Sequence, residues 1–240
     1  MEEQFSPRAA KHIALAALVA TVALPAAALA DGPRCDAQLD RVHFANHLPR
    51  VAKKLAEHQP ITIVAIGSSS TAGAGASSPA ATYPSRLQIE LSERFPGQTF
   101  KVINRGVGGE EVDDMLKRFD QAVIAAKPDL VLWQLGTNSV LRDHEVAGHE
   151  AAIHVGIKRI RATGADIVLI DPQFTPKVIA KPEAAHMVAL MALTAKQEDI
   201  DLYPRYEVMR RWHDVDHVDF KTFASPDGLH MNDWGYACWA

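Results

Sequence analysis

Short, uninterrupted runs of apolar, often β-branched residues, separated by stretches of helical periodicity, most constrain what this 240-residue chain can fold into. The run 61–66 (ITIVAI) has no polar alternation and ends at Gly67, the pattern of a strand covered on both faces rather than one that meets water. Residues 100–103, 130–135 and 167–170 repeat it, and 200–203 is a shorter candidate. Helical patterns occupy 84–95, 111–126, 144–162 and 183–197, with a leading helix across 37–57. Strands alternating with helices predict an α/β fold with a central parallel sheet of about five strands and helices on both faces. In such sheets ligands bind beyond the carboxyl ends of the strands, so the residues just after each strand carry the most information.

The first thirty residues have a different character. Arg8, Lys11 and His12 precede an apolar run at 13–24, Pro25 interrupts it, and Ala28-Leu29-Ala30 supplies a small-x-small cleavage pattern before Asp31. Residues 1–30 therefore read as a signal peptide and 31–240 as a single domain that works in the periplasm or outside the cell. The run is too short for a spanning helix, so no stable membrane insertion is expected after cleavage; an uncleaved anchor is the competing reading. An oxidising compartment allows Cys35 and Cys238 to pair, closing a loop of about two hundred residues, with two unpaired thiols as the alternative. A formal charge of -4 is the wrong sign for a nucleic-acid binder and points to a small or neutral partner.

Chemistry-bearing residues follow the strands. Gly67-Ser68-Ser69-Ser70-Thr71 presents hydroxyls at the sheet edge after the first strand. Asn104-Arg105-Gly106-Val107-Gly108-Gly109 follows the second, and its glycines allow a sharp turn that offers backbone N–H groups to an oxygen becoming negative. Gly136-Thr137-Asn138 follows the third with an amide donor, and near the C-terminus Asp227 stands three residues before His230, close enough to hold the imidazole by Nδ1–H. Each segment alone is an ordinary turn; together they supply nucleophile, base, orienting acid and oxyanion donors.

These four blocks, in this order, resemble those of the SGNH or GDSL-like serine hydrolases, over residues 61–230. The resemblance implies a three-layer α/β/α sandwich of flavodoxin-like type, with Ser69 as nucleophile and Asp227 and His230 completing the triad. It also implies an oxyanion hole built from the N–H of Ser69, the N–H of Gly109 and the amide of Asn138. Ser68 stands where that family has the aspartate of Gly-Asp-Ser, and Ser139 where an aspartate often follows the asparagine. The chain stops ten residues after His230, which leaves no room for a long terminal helix.

A Walker phosphate loop is excluded because no Lys-Ser or Lys-Thr follows the glycines, and a Gly-x-Ser-x-Gly elbow because Thr71 occupies the last glycine's place. No metal site is expected. His213 and His217 lack the glutamate of a metalloprotease pattern, and the five-residue spacing of His144, His149 and His154 scatters them around the helix expected at 144–162. Gln173, after the fourth strand, is a candidate substrate contact, while Trp212, Phe220, Phe223 and Trp234 read chiefly as packing residues. The expected activity is hydrolysis of a short acyl ester, acetyl above all, of a carbohydrate or small alcohol, without a cofactor. A lipase or lysophospholipase and a non-catalytic glycan-binding relative are the alternatives.

Overall fold

A computed structural model describes residue 42 and residues 44–240. The expected signal segment and Cys35 lie outside the described residues.

Five parallel strands form one sheet: β1 Ile61–Gly67, β2 Phe100–Gly106, β3 Leu130–Gln134, β4 Asp166–Ile170 and β5 Asp201–Tyr203, in the spatial order β2-β1-β3-β4-β5. Among the described residues, twelve α-helices accompany them. They are α1 Pro49–Ala56, α2 Ser69–Ala72, α3 Tyr83–Arg94, α4 Val112–Lys117, α5 Phe119–Ala122, α6 Thr137–Leu141, α7 Glu150–Arg161, α8 Pro176–Ile179, α9 Glu183–Gln197, α10 Arg205–Asp214, α11 Phe220–Phe223 and α12 Asp233–Trp239. Among the described residues no helix is long and apolar enough to cross a membrane.

Strand side chains alternate between the two faces, and both faces are covered, which is why the strands read as continuous apolar runs. Val64, Ile66, Val131, Trp133, Ile167 and Leu169 pack with residues of α4, α5, α7 and α9. Ile61, Ile63, Leu130 and Val168 meet Leu48, Val51 and Leu55 at α1, while Ala65 and Ile170 join Tyr83, Met209, Trp212, Phe223, Tyr236 and Trp239 of α3 and α10–α12. The result has helices on both faces of a parallel sheet, as the pattern predicts, and is the three-layer α/β/α sandwich that the resemblance implies.

Several boundaries differ from the sequence expectation for identifiable reasons. The helical pattern at 111–126 is broken at Arg118, which leaves the helical region, so α4 and α5 turn separately and bury Met115 and Phe119 against the sheet. The helix expected from 144 starts at Glu150, preceded by a 3₁₀ turn over Val146–His149. Among the described residues the leading helix starts at Pro49, a residue suited to the first helical position because it has no N–H to satisfy, and the part expected at 37–41 lies outside them. Carboxylates from the sheet hold it: Asp166 accepts from the N–H groups of Arg50 and Val51, and Asp129 accepts from Arg50 Nε and Lys54 Nζ at 2.7 Å. Six helices were not anticipated: the single-turn α2, α6, α8 and α11, and the longer α10 and α12. In α10 the inward positions are Arg205, Met209 and Trp212, and a buried arginine hides the apolar stripe; α12 fits seven residues into the short stretch beyond His230.

Candidate active site

β1 ends at Gly67 and α2 begins at Ser69, so Ser68 alone makes the turn. Ser68 is buried, and its N–H and hydroxyl both donate to Gln134 Oε1, at 2.9 and 3.2 Å; the Thr71 hydroxyl donates to the same oxygen at 3.2 Å. A neutral amide at the end of β3 thus ties the turn to the sheet where a carboxylate at 68 would have carried charge.

Ser69 Oγ lies 2.9 Å from His230 Nε2, and His230 Nδ1 lies 2.5 Å from Asp227 Oδ2, so three of the residues singled out in the sequence form one hydrogen-bonded chain. The loop that carries the last two closes on itself. Ala224 and Met231 form an antiparallel bridge, and Ser225 N–H donates to the His230 carbonyl. Asp227 Oδ1 accepts from Ser225 Oγ at 2.6 Å and from the N–H groups of Leu229 and His230 at 2.8 and 2.9 Å. Partial burial alone would raise the Asp227 carboxyl, but these donors and the His230 ring outweigh it and hold the group well below the usual carboxylate range. The acid is therefore ionised and aimed at Nδ1, which is what fixes the imidazole with Nε2 toward the serine.

The turn after β2 comes alongside. Asn104 bridges the two elements: its Nδ2 donates to the Thr71 carbonyl of α2 at 2.8 Å, and its Oδ1 accepts from Gly106 N–H at 2.9 Å. Gly106 packs so closely on α2 that any Cβ there would overlap the Ala72 backbone, while a Cβ on Gly108 would sit 3.8 Å from that of Ser69. Gly109 has φ +81, a left-handed conformation that glycine adopts without steric cost. Its carbonyl accepts from Arg142 Nη2 at 2.8 Å, and the next carbonyl, of Glu110, accepts from Asn138 Nδ2 at 2.8 Å. The amide has two hydrogens and spends one here.

Gln173 does not face a cleft. It is 1 % exposed, and its amide is consumed internally: Oε1 accepts from Thr137 Oγ1 and Arg205 Nη2, both at 2.9 Å, and Nε2 donates to the Leu229 carbonyl at 3.1 Å. It therefore joins α6, which carries Asn138, to the loop carrying His230. Behind it lies a buried polar group in which Arg205 Nε donates to the Asp171 carbonyl and the guanidinium covers the Trp239 ring, 4.7 Å from its centroid. Burial pushes the Asp171 carboxyl up to about 7, against the opposing pull of the Tyr206 N–H and Arg205. Sequence reading passed over Asn104, Gln134 and Arg205 as individual residues. Gln134 did leave a signal, as a lone amide at the end of an otherwise apolar strand.

Other expectations resolve simply. Trp212 and Phe223 are core residues. α10 ends at Asp214, so His217 falls beyond the helix that would have aligned it with His213; the His213 ring stacks on Phe220 at 4.1 Å instead. Cys238 lies in α12.

A parallel sheet in this order, with a serine after β1 and a histidine–aspartate pair returning to it from the C-terminal segment, is the arrangement of the SGNH class of hydrolases. The chain belongs to the non-GDSL lipase-like family, whose model matches residues 34–240. It is 33% identical over 79 residues to an acetylxylan esterase of Geobacillus stearothermophilus and 27% identical over 150 residues to an arylesterase of Vibrio mimicus. Those matches span 36% of the first relative's length and 70% of the second's, and 33% and 62% of this chain. The solved structure of a variant acetyl xylan esterase from Geobacillus stearothermophilus superposes with a TM-score of 0.65 at 20% identity, covering 75% of this chain and 91% of that one.

Proposed function

We propose that this protein is a serine esterase that hydrolyses a short acyl ester, acetyl in the first instance, of a carbohydrate or small alcohol. The observation that carries the reading is the continuous hydrogen-bonded chain from Ser69 Oγ through both nitrogens of His230 to Asp227. His230 Nε2 takes the hydroxyl proton as Ser69 Oγ bonds to the ester carbonyl carbon, and the electron pair moves onto the carbonyl oxygen. The N–H groups of Ser69 and Gly109 and the second Asn138 amide hydrogen receive that oxyanion. The intermediate collapses, breaking the C–O bond to the alcohol, which leaves with the proton from His230. Water, deprotonated by the same imidazole, then releases the acid and restores Ser69. Asp227 stays ionised throughout and stabilises the imidazolium.

Acetylated carbohydrate as the substrate class is supported by the name of the acetylxylan esterase relative and of its solved counterpart. Export after Ala30 is supported by the basic, apolar and small-residue succession within residues 1–30, and in that compartment a Cys35–Cys238 disulfide would secure α12.

Hydrolysis of p-nitrophenyl acetate and of a longer-chain ester by the parent and by a folded Ser69→Ala variant tests the proposal. Turnover by the parent and none by the variant is expected, with the acetate ester preferred. Full activity in Ser69→Ala would remove Ser69 as nucleophile, and a folded parent inert on both esters would favour a binding protein over an enzyme.

A further inference from the structure

The turn that follows β2 is anchored on its outer side by a cluster that the catalytic chain does not use. Glu111 Oε2 lies 3.0 Å from His144 Nδ1 and 3.9 Å from His149 Nε2, and the three atoms all fall within 4.8 Å of one another. A five-residue spacing scatters the histidines around a helix that begins at 144, but the helix starts only at Glu150, and the segment before it brings both rings to the same carboxylate. His149 Nε2 is shielded from solvent, points into this cluster and has no hydrogen-bond partner; in the tautomer with the proton on Nδ1 its lone pair is free to bind a metal ion. Arg142 binds the other carboxylate oxygen, Oε1, and Ser139 Oγ donates to Oε2 at 2.9 Å, so the carboxylate is held in one orientation.

We propose that Glu111, His144 and His149 form a zinc-binding site that clamps the oxyanion turn to the segment after β3. Two imidazoles and a carboxylate are a borderline N₂O donor set, suited to zinc and poorly suited to magnesium or calcium, which prefer all-oxygen shells. A tetrahedral ion with bonds of about 2.1 Å separates its ligands by about 3.4 Å, a value between the 3.0 and 3.9 Å of the two Glu111–histidine pairs, and the two imidazole nitrogens lie within 4.8 Å of each other. His144 is exposed, which leaves the fourth position open to water. On the inner side, a small cavity of about 10 Å³ lined by Ser139, His149 and Met187 adjoins the cluster. The ion's role is structural: Glu111 is adjacent to the carbonyl that holds Asn138, and Arg142 spans from Glu111 to the Gly109 carbonyl. Fixing Glu111 therefore fixes both the Gly109 and the Asn138 donors.

The test is zinc binding and thermal melting of the EDTA-treated chain, compared with His144→Ala, His149→Gln and His230→Ala. The parent is expected to bind one zinc ion and to melt several degrees higher with it. The first two variants should bind at least about tenfold more weakly and lose the rise, since each removes one of three protein ligands. His144→Ala lies on the surface and keeps the test valid even if His149→Gln folds poorly. His230→Ala should bind as the parent does. The proposal is overturned if the parent binds no zinc at a free concentration on the order of 100 µM. It is overturned equally if only His230→Ala loses binding, which would place the ion on the catalytic histidine.

Discussion

Asp227 is accessible to water, yet its carboxylate has no freedom: one oxygen collects three donors from its own loop and the other faces His230. An asparagine could still accept the loop's hydrogen bonds but could not stabilise an imidazolium, so Asp227→Asn should keep the parent melting temperature and lose about 10⁴-fold in kcat. A comparable loss of stability would mean that the residue serves the loop rather than the chemistry. On the proposed mechanism Asn138→Ala should cost about 100- to 1000-fold, chiefly in kcat, because an oxyanion donor matters most when charge develops on the carbonyl oxygen. Asp171 makes a prediction of opposite character. Its folded carboxyl is raised to about 7, so across the window from the ordinary carboxylate range to about 7 the folded state keeps a proton that the unfolded chain has released. Stability attributable to this group therefore falls as pH rises through that window. The urea midpoint of the parent should decline more between about pH 5 and about pH 8 than that of Asp171→Asn; equal declines would refute the assignment.

At the scale of elements, α7 lies so close to β3 that Gly156 leaves no room for a side chain: a Cβ there would lie 2.0 Å from Cη2 of Trp133. Helix propensity alone favours Gly156→Ala by about 1 kcal/mol, but overpacking a buried tryptophan costs about 1–3 kcal/mol. Packing should win, and denaturant unfolding should show Gly156→Ala destabilised, with helix content preserved by circular dichroism. The same comparison explains which elements were legible. β1 and β3 announce themselves because burial on both faces demands unbroken apolar runs, and α9 because it is long and regular. The pattern at 111–126 looked like one helix, since α4 and α5 bury the same kinds of residue and differ only in the turn at Arg118. α10 was missed because its inward Arg205 is apolar in neither charge nor pattern and becomes buried only through Gln173, Asp171 and Trp239.

Across the molecule, the C-terminal helix is as much a part of the fold as the sheet. Trp239 packs on Tyr83 with ring centroids 3.8 Å apart, and Tyr236 donates to the Ala74 carbonyl just past α2. The last helix thus reaches back to the segments that hold the serine turn. Trp239→Ala should lower stability by about 3–5 kcal/mol, readable as a drop in melting temperature, and should impair esterase activity only through loss of the folded fraction. A selective loss of kcat at a temperature where the variant is fully folded would show that α12 also sets the active-site geometry.

Local chemistry determined the strand runs, their parallel class and the four blocks that follow them, because an apolar run, a glycine turn and an Asp-x-x-His spacing express short-range constraints already present in the chain. What only the tertiary structure decided are relations between residues far apart in sequence. Ser69 meets His230 across 161 positions, Gln173 is turned from a supposed substrate contact into an internal tie, and Glu111 gathers His144 and His149. Such contacts follow from how the layers stack and where each helix actually starts, and periodicity along one segment carries no information about the partner it will meet.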